Sequence, residues 1–87
     1  MSKYVVRLKK KAEKELNKLP SFVFEKIVKE LKCLEENPYH HGCEKLEGVE
    51  GYRTRMGDYR MLYTINNPKK EIFVYRVRHR KEAYRFD

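Results

Sequence analysis

The sequence predicts an α+β domain of order β-α-α-β-β-β, a small antiparallel-dominated sheet with two helices packed on one face. Three observations predict it. Apolar residues in the first half recur at helical spacing, and the period then changes to two. The second half is rich in β-branched and aromatic residues. It is also punctuated by two turn signals, Gly57-Asp58 and Asn66-Asn67-Pro68-Lys69-Lys70. At 87 residues the chain has room for one domain, 1–87. A domain of that size buries only about 60% of the surface its unfolded chain exposes, so a partner adds usefully to its stability.

Each element has its own signal. Tyr4, Val6 and Leu8 alternate with Val5 and Arg7, a first strand. Ala12, Leu16 and Leu19 fall at i, i+4 and i+7 among Lys and Glu, a short amphipathic helix that Pro20 stops. Ser21 is placed to cap a second helix, whose apolar stripe is Phe24, Ile27, Val28, Leu31 and Leu34. Asn37 precedes Pro38 and so leaves the α region, which ends that helix. Residues 38–51 read as a loop with a short extended piece at Lys45–Glu47. Tyr52–Met56, Tyr59–Ile65 and Ile72–Arg78 read as strands. The tail from Arg80 to Asp87 has no clear period.

Composition adds a functional constraint. The formal charge is +8, from 21 Lys and Arg against 13 Asp and Glu, with a pI near 9.6. That balance suits a polyanion such as RNA, although a solvated Lys/Glu-rich surface gives the same number. No apolar run approaches the roughly 18 residues of a membrane span, and the N-terminus lacks a signal-peptide core. No membrane association is expected, and the reading is cytoplasmic. Cys33 and Cys43 make no disulfide framework, and Cys33, within a helical pattern, reads as a small buried hydrophobe. His40, His41 and Cys43 lack the paired spacing of a zinc site. No metal or other cofactor is expected.

Charge gains geometry at the Gly57-Asp58 turn. If that turn is two residues long, Met56 faces Tyr59, Arg55 faces Arg60 and Arg53 faces Leu62. Cross-strand partners share a face, and so do residues two apart. Arg53, Arg55 and Arg60 then gather on one face. Tyr52, Thr54, Met56, Tyr59, Met61, Tyr63 and Ile65 take the other, which belongs under the helices. Arg76, Arg78 and Arg80 follow at a spacing of two, in a register the sequence leaves open. Like charges opposite each other destabilise a sheet, so a fold that holds Arg55 against Arg60 implies an anionic ligand. Lysine would solubilise a strand equally well, yet residues 52–65 contain Arg and no Lys. Arginine supplies the planar fork that phosphate recognition uses.

The run Gly51-Tyr-Arg-Thr-Arg-Met-Gly-Asp-Tyr-Arg-Met-Leu-Tyr63, followed by Val77-Arg-His-Arg-Lys-Glu-Ala-Tyr84, resembles the RelE/ParE superfamily of bacterial and archaeal toxins. The resemblance covers nearly the whole chain, including the Lys45-Leu46-Glu47-Gly48 element. It implies a RelE-type fold and the toxin of a type II toxin–antitoxin pair. It further implies a ribosome-dependent mRNA endonuclease. Such toxins cut mRNA in the ribosomal A site, where a 2′-hydroxyl attacks the adjacent phosphate, and so inhibit translation. The implied partners are a cognate RelB-like antitoxin, the ribosome and mRNA.

Carried over by motif, Arg60 and Arg80 hold the scissile phosphate, and Tyr84 stacks on a base or assists proton transfer. Arg53 and Arg55 position the RNA backbone, with Arg76 and Arg78 as further RNA-binding candidates. RelE itself carries lysines where this chain has Arg53 and Arg55. Arginine stays protonated, so neither is a general base. His79 is the one histidine of the matched C-terminal segment, a residue type suited to proton transfer, and is the candidate base, although strict alternation points it away from Arg78 and Arg80. Glu47 and Glu50 are weaker candidates. The alternatives are a ParE-like toxin that inhibits gyrase without nuclease chemistry, and a degenerate relative that only binds RNA or antitoxin.

Overall fold

A computed structural model of the protein describes residues 3–39, 43–48 and 50–79. Among the described residues seven elements follow one another: β1 (Val5–Leu8), α1 (Lys10–Asn17), α2 (Ser21–Glu36), β2 (Cys43–Lys45), β3 (Tyr52–Met56), β4 (Tyr59–Asn66) and β5 (Glu71–His79). The strands form one five-stranded sheet in the order β1-β5-β4-β3-β2. Only β1 and β5 pair in parallel; the other neighbours are antiparallel. The α+β expectation stands, with one strand more than the sequence predicts. The extended piece expected at Lys45–Glu47 lies two residues earlier, and as β2 it zips onto β3 through Cys43–Thr54, Glu44–Arg53 and Lys45–Tyr52.

The helices cover one face. Ala12 and Leu16 of α1 pack with Val23, Ile27 and Leu34 of α2 against Met61, Tyr63, Ile72, Val74 and Val77 of the sheet. Burying side chains of this kind contributes roughly 1.5–3 kcal/mol each before entropy is counted. Three details of α2 differ from expectation. The stripe includes Val23 in place of Phe24, which is 36% exposed, while Ile27 and Leu34 hold the core positions expected of them. Pro20 takes the N-cap position and Ser21 begins the helix, with no side-chain cap. Cys33 is exposed, since its neighbour Leu34 points into the core.

Two devices fix the hairpins. Gly57 has φ +62 and begins the two-residue turn joining β3 to β4. A positive φ at the first central position alone is what a type II′ turn asks for, and glycine supplies it without a Cβ penalty. Between β4 and β5 the register shifts at Leu62/Tyr63, leaving Tyr75 as an extra residue. The Tyr75 hydroxyl comes within 3.2 Å of where a Cβ on Gly51 would stand. Gly51 itself adopts φ +147, a region other residues avoid.

β1 ends at Leu8, so β5 runs on past its parallel neighbour. Glu15 of α1 covers that exposed edge. Its carboxylate accepts the Val77 backbone N–H at 2.8 Å and two guanidinium donors of Arg76, Nε at 3.2 Å and Nη2 at 2.8 Å. A helix side chain thus replaces the missing strand and ties α1 to the sheet.

Candidate functional site

The register of β3, β4 and β5 builds the site. Arg55 is paired with Arg60, and Arg60 with Arg78, so three arginines form one row across three adjacent strands. The row alternates with the helix-facing residues Thr54, Met61 and Val77, which places it on the sheet face away from the helices. The next row along the same face is Glu44, Arg53, Leu62 and Arg76. The expectation that Arg53, Arg55 and Arg60 share a face is met, and the open register of β5 is settled in favour of Arg78.

The row is not the solvent-exposed surface that simple alternation suggests. Arg60 and Arg78 retain 7% and 8% of their exposure, whereas the Arg55 side chain is 55% exposed. Arg60 lies on an inner strand between Arg55 and Arg78, so its aliphatic stem is flanked on both sides. Arg53 is intermediate, and its buried Nε finds no hydrogen-bond partner. A buried guanidinium donor interacts strongly with an incoming anion, because little water competes for it.

Glu44 on the edge strand β2 adds a carboxylate against Arg53 and Arg55. One of its oxygens lies 3.4 Å from Arg53 Nη2 and the other 3.4 Å from Arg55 Nε. A single carboxylate therefore bridges two guanidinium groups. Nothing in the composition or spacing distinguishes Glu44 from the other acids. The only signal was the pairing of β2 with β3, which the misplaced extended piece concealed.

Two sequence candidates go elsewhere. The Arg76 guanidinium runs to α1, in the largely buried ion pair with Glu15, and is not added to the row. His79 pairs with Tyr59 and sits on the helix side, its ring edge-on to Tyr59 at 5.1 Å between centroids. It borders a hollow lined by Glu15, Lys18, Leu19, Tyr59 and Val77. The sheet separates it from the arginines, as alternation predicts. Glu47 and Glu50 are exposed in the segment between β2 and β3. Arg80 and Tyr84 lie outside the described residues, as do His40 and His41.

Tyrosines dominate the opposite face. Tyr39 stands edge-on to Tyr52, which stacks on Tyr63 with ring centroids 5.9 Å apart. The Tyr63 hydroxyl donates to the Pro38 carbonyl at 3.0 Å, pinning the end of α2 to the sheet. Burial pushes the Tyr63 phenol well above its ordinary value, and it raises Tyr52 and Tyr75 in the same direction. Among the described residues no helix is long and apolar enough to cross a membrane.

Known proteins share this fold. The family model described as "ParE toxin of type II toxin-antitoxin system, parDE" matches residues 6–84. Toxin RelG of Mycobacterium tuberculosis is 31% identical over 84 residues, spanning 94% of this chain and 97% of that protein. The RelBE2 toxin–antitoxin complex of M. tuberculosis contains a chain that superposes with a TM-score of 0.80 at 30% identity, covering 90% of this chain and 99% of that one. The archaeal RelE–RelB complex of Pyrococcus horikoshii gives a TM-score of 0.81 at 31% identity, covering 90% and 96%. The intact Escherichia coli RelBE complex gives 0.76 at 31%, covering 85% and 93%.

A five-stranded sheet backed by two helices is thus the architecture this chain shares with small toxins of type II toxin–antitoxin systems. The chain belongs to the RelE/ParE superfamily, and its likeness to RelE toxins extends over nearly its whole length.

Proposed function

We propose that the chain is a ribosome-dependent mRNA endonuclease, held inactive in the cytoplasm by a RelB-like antitoxin. The observation that carries this reading is the in-register row Arg55–Arg60–Arg78. Neighbouring guanidinium forks can hold the two non-bridging oxygens of one phosphodiester. As the 2′-hydroxyl attacks, an O2′–P bond forms and the P–O5′ bond breaks. The hydroxyl proton passes to a base, and the departing 5′ oxygen takes up a proton. The ends are a 2′,3′-cyclic phosphate and a 5′-hydroxyl. Negative charge grows on the phosphate oxygens during attack, and Arg60 and Arg78 are placed to neutralise it from a poorly hydrated position.

The remaining roles divide by location. Arg53 and Arg55 guide the RNA backbone along the β2 side of the face. By resemblance, Arg80 completes the phosphate grip and Tyr84 stacks on a base or moves a proton. His79 acts from behind the sheet, bracing Tyr59 next to Arg60. The proton acceptor is not an arginine of the row, because guanidinium does not give up its proton at working pH.

The family-model match favours a second reading, a ParE-like toxin that inhibits gyrase. Incubation of the protein with programmed ribosomes, with free mRNA and with gyrase plus DNA separates the two. Ribosome-dependent mRNA cutting, lost in Arg80→Ala and weakened in Tyr84→Phe, is the expected result. Gyrase-dependent DNA breaks with intact mRNA would establish the second reading instead.

A further inference from the structure

Glu44 bridges the guanidinium groups of Arg53 and Arg55. Its two carboxylate oxygens each face a different guanidinium, Arg53 Nη2 and Arg55 Nε, both at 3.4 Å. Two oxygens on one centre, shared between two arginines, reproduce the way a phosphodiester presents its non-bridging oxygens. The contacts are ion pairs at the long end of the range, and the Glu44 side chain is 49% exposed. They are therefore weak, as ion pairs with a solvent-exposed member usually are. A contact of that strength can be displaced by substrate. The buried Arg53 Nε is a second observation: it remains without an acceptor even with Glu44 in place. The carboxylate therefore leaves the donor set of the pair incompletely matched.

We propose that Glu44 is an intramolecular competitor for RNA, occupying a backbone-phosphate seat formed by Arg53 and Arg55 and setting the affinity of that seat. The proposal rests on the reading of the arginine face as an RNA site. On binding, the phosphodiester displaces the Glu44 carboxylate to solvent, and both guanidinium groups transfer to phosphate oxygens. No covalent step is involved. Free toxin consequently binds loose single-stranded RNA weakly. Strands presented at high effective concentration, as on a ribosome, are favoured over free ones.

The test measures binding, so cleavage does not interfere. Single-stranded 2′-O-methyl oligonucleotides, which lack the attacking hydroxyl, are titrated with purified protein at several salt concentrations and followed by fluorescence anisotropy. Glu44→Gln is expected to tighten binding about three- to tenfold at low salt, the effect of releasing two guanidinium groups from one weak, half-exposed carboxylate. The log–log salt dependence should steepen by about 0.7–1.4, one to two extra phosphates neutralised on a single strand. Glu25→Gln removes the same charge from the exposed surface of α2 and should change affinity less than twofold. In an Arg53→Ala/Arg55→Ala background the gain from Glu44→Gln should vanish. Unchanged or weaker binding by Glu44→Gln would overturn the proposal. So would a gain that Glu25→Gln matches, or one that persists without the two arginines. A toxin that fails to cut on ribosomes but shows the Glu44 effect leaves this inference standing and removes the nuclease reading; the opposite pair of results does the reverse.

Discussion

Arg60 on β4 and Arg78 on β5 are register partners, buried to 7% and 8% exposure on the face away from the helices. Opposed like charges cost a sheet stability, and their burial raises the cost. Functional sites commonly hold such arrangements at the expense of stability. If Arg60 neutralises charge in the transition state, Arg60→Ala slows mRNA cleavage by on the order of 10²-fold or more. Arg60→Lys keeps the charge but loses the planar fork, and should recover only part of that loss. Lost stem packing and relieved repulsion oppose each other in folding. The Tm of Arg60→Ala should therefore move by less than about 8 °C, the upper shift produced by about 1 kcal/mol in a domain of this size. Thermal melts alongside single-turnover cleavage separate the two effects.

Glu15 bears more on folding than on chemistry. It holds Arg76 and the Val77 N–H on the strand edge that β1 does not reach. Glu15→Ala leaves a guanidinium and a backbone donor without this acceptor in a largely buried place. The expected loss is about 2–4 kcal/mol, read as a lower urea midpoint with an unchanged m-value. Arg76→Ala should cost less, since the carboxylate keeps the Val77 N–H.

Gly51 sits at φ +147, and a Cβ there would lie 3.2 Å from the Tyr75 hydroxyl and 3.3 Å from both Leu46 Cδ1 and the Tyr63 carbonyl oxygen. Gly51→Ala should destabilise by about 1–3 kcal/mol through backbone strain and crowding. Adding Tyr75→Phe removes one of the three contacts. The double variant should recover part of the loss in a double-mutant cycle, while the strain and the carbonyl contact persist.

Tyr63 ties stability to alkaline pH. Its buried phenol stays protonated in the folded protein beyond its ordinary value near 10.0. The sign follows from linkage: folded pKa is raised, so this stabilisation is full below the unfolded pKa and declines as pH rises through and above it. Unfolding free energy should fall from about pH 10 upward. Tyr63→Phe should flatten that decline and cost about 1 kcal/mol at neutral pH for the bond to Pro38. Phenolate absorbance set against urea stability across alkaline pH checks both statements.

The β3–β4 hairpin was legible because its signals agree: Gly57-Asp58 demands a tight turn, and period-two alternation sorts arginines from tyrosines on either side. The position of α2 was less so. Val23 and Phe24 are both apolar and adjacent, and only packing against the sheet chooses Val23. Cys33 was misjudged for the same reason, lying beside Leu34 on a helix without a wide apolar face. The parallel pairing of β1 with β5 spans more than sixty residues in sequence and leaves no local pattern. The extra residue at Tyr75 was equally hidden, and with it the diversion of Arg76 to Glu15. His79 shows the opposite case, since simple alternation predicted the helix side on which it lies.

The most direct test of the arginine row as a catalytic site is the chemistry of mRNA ends left on programmed ribosomes by wild-type protein and by Arg60→Ala. The prediction is a break within the A-site codon, with a 2′,3′-cyclic phosphate on the upstream fragment, and its near-complete loss in the folded Arg60→Ala variant. Intact mRNA with the wild-type toxin, or equal cutting by both proteins, would contradict it.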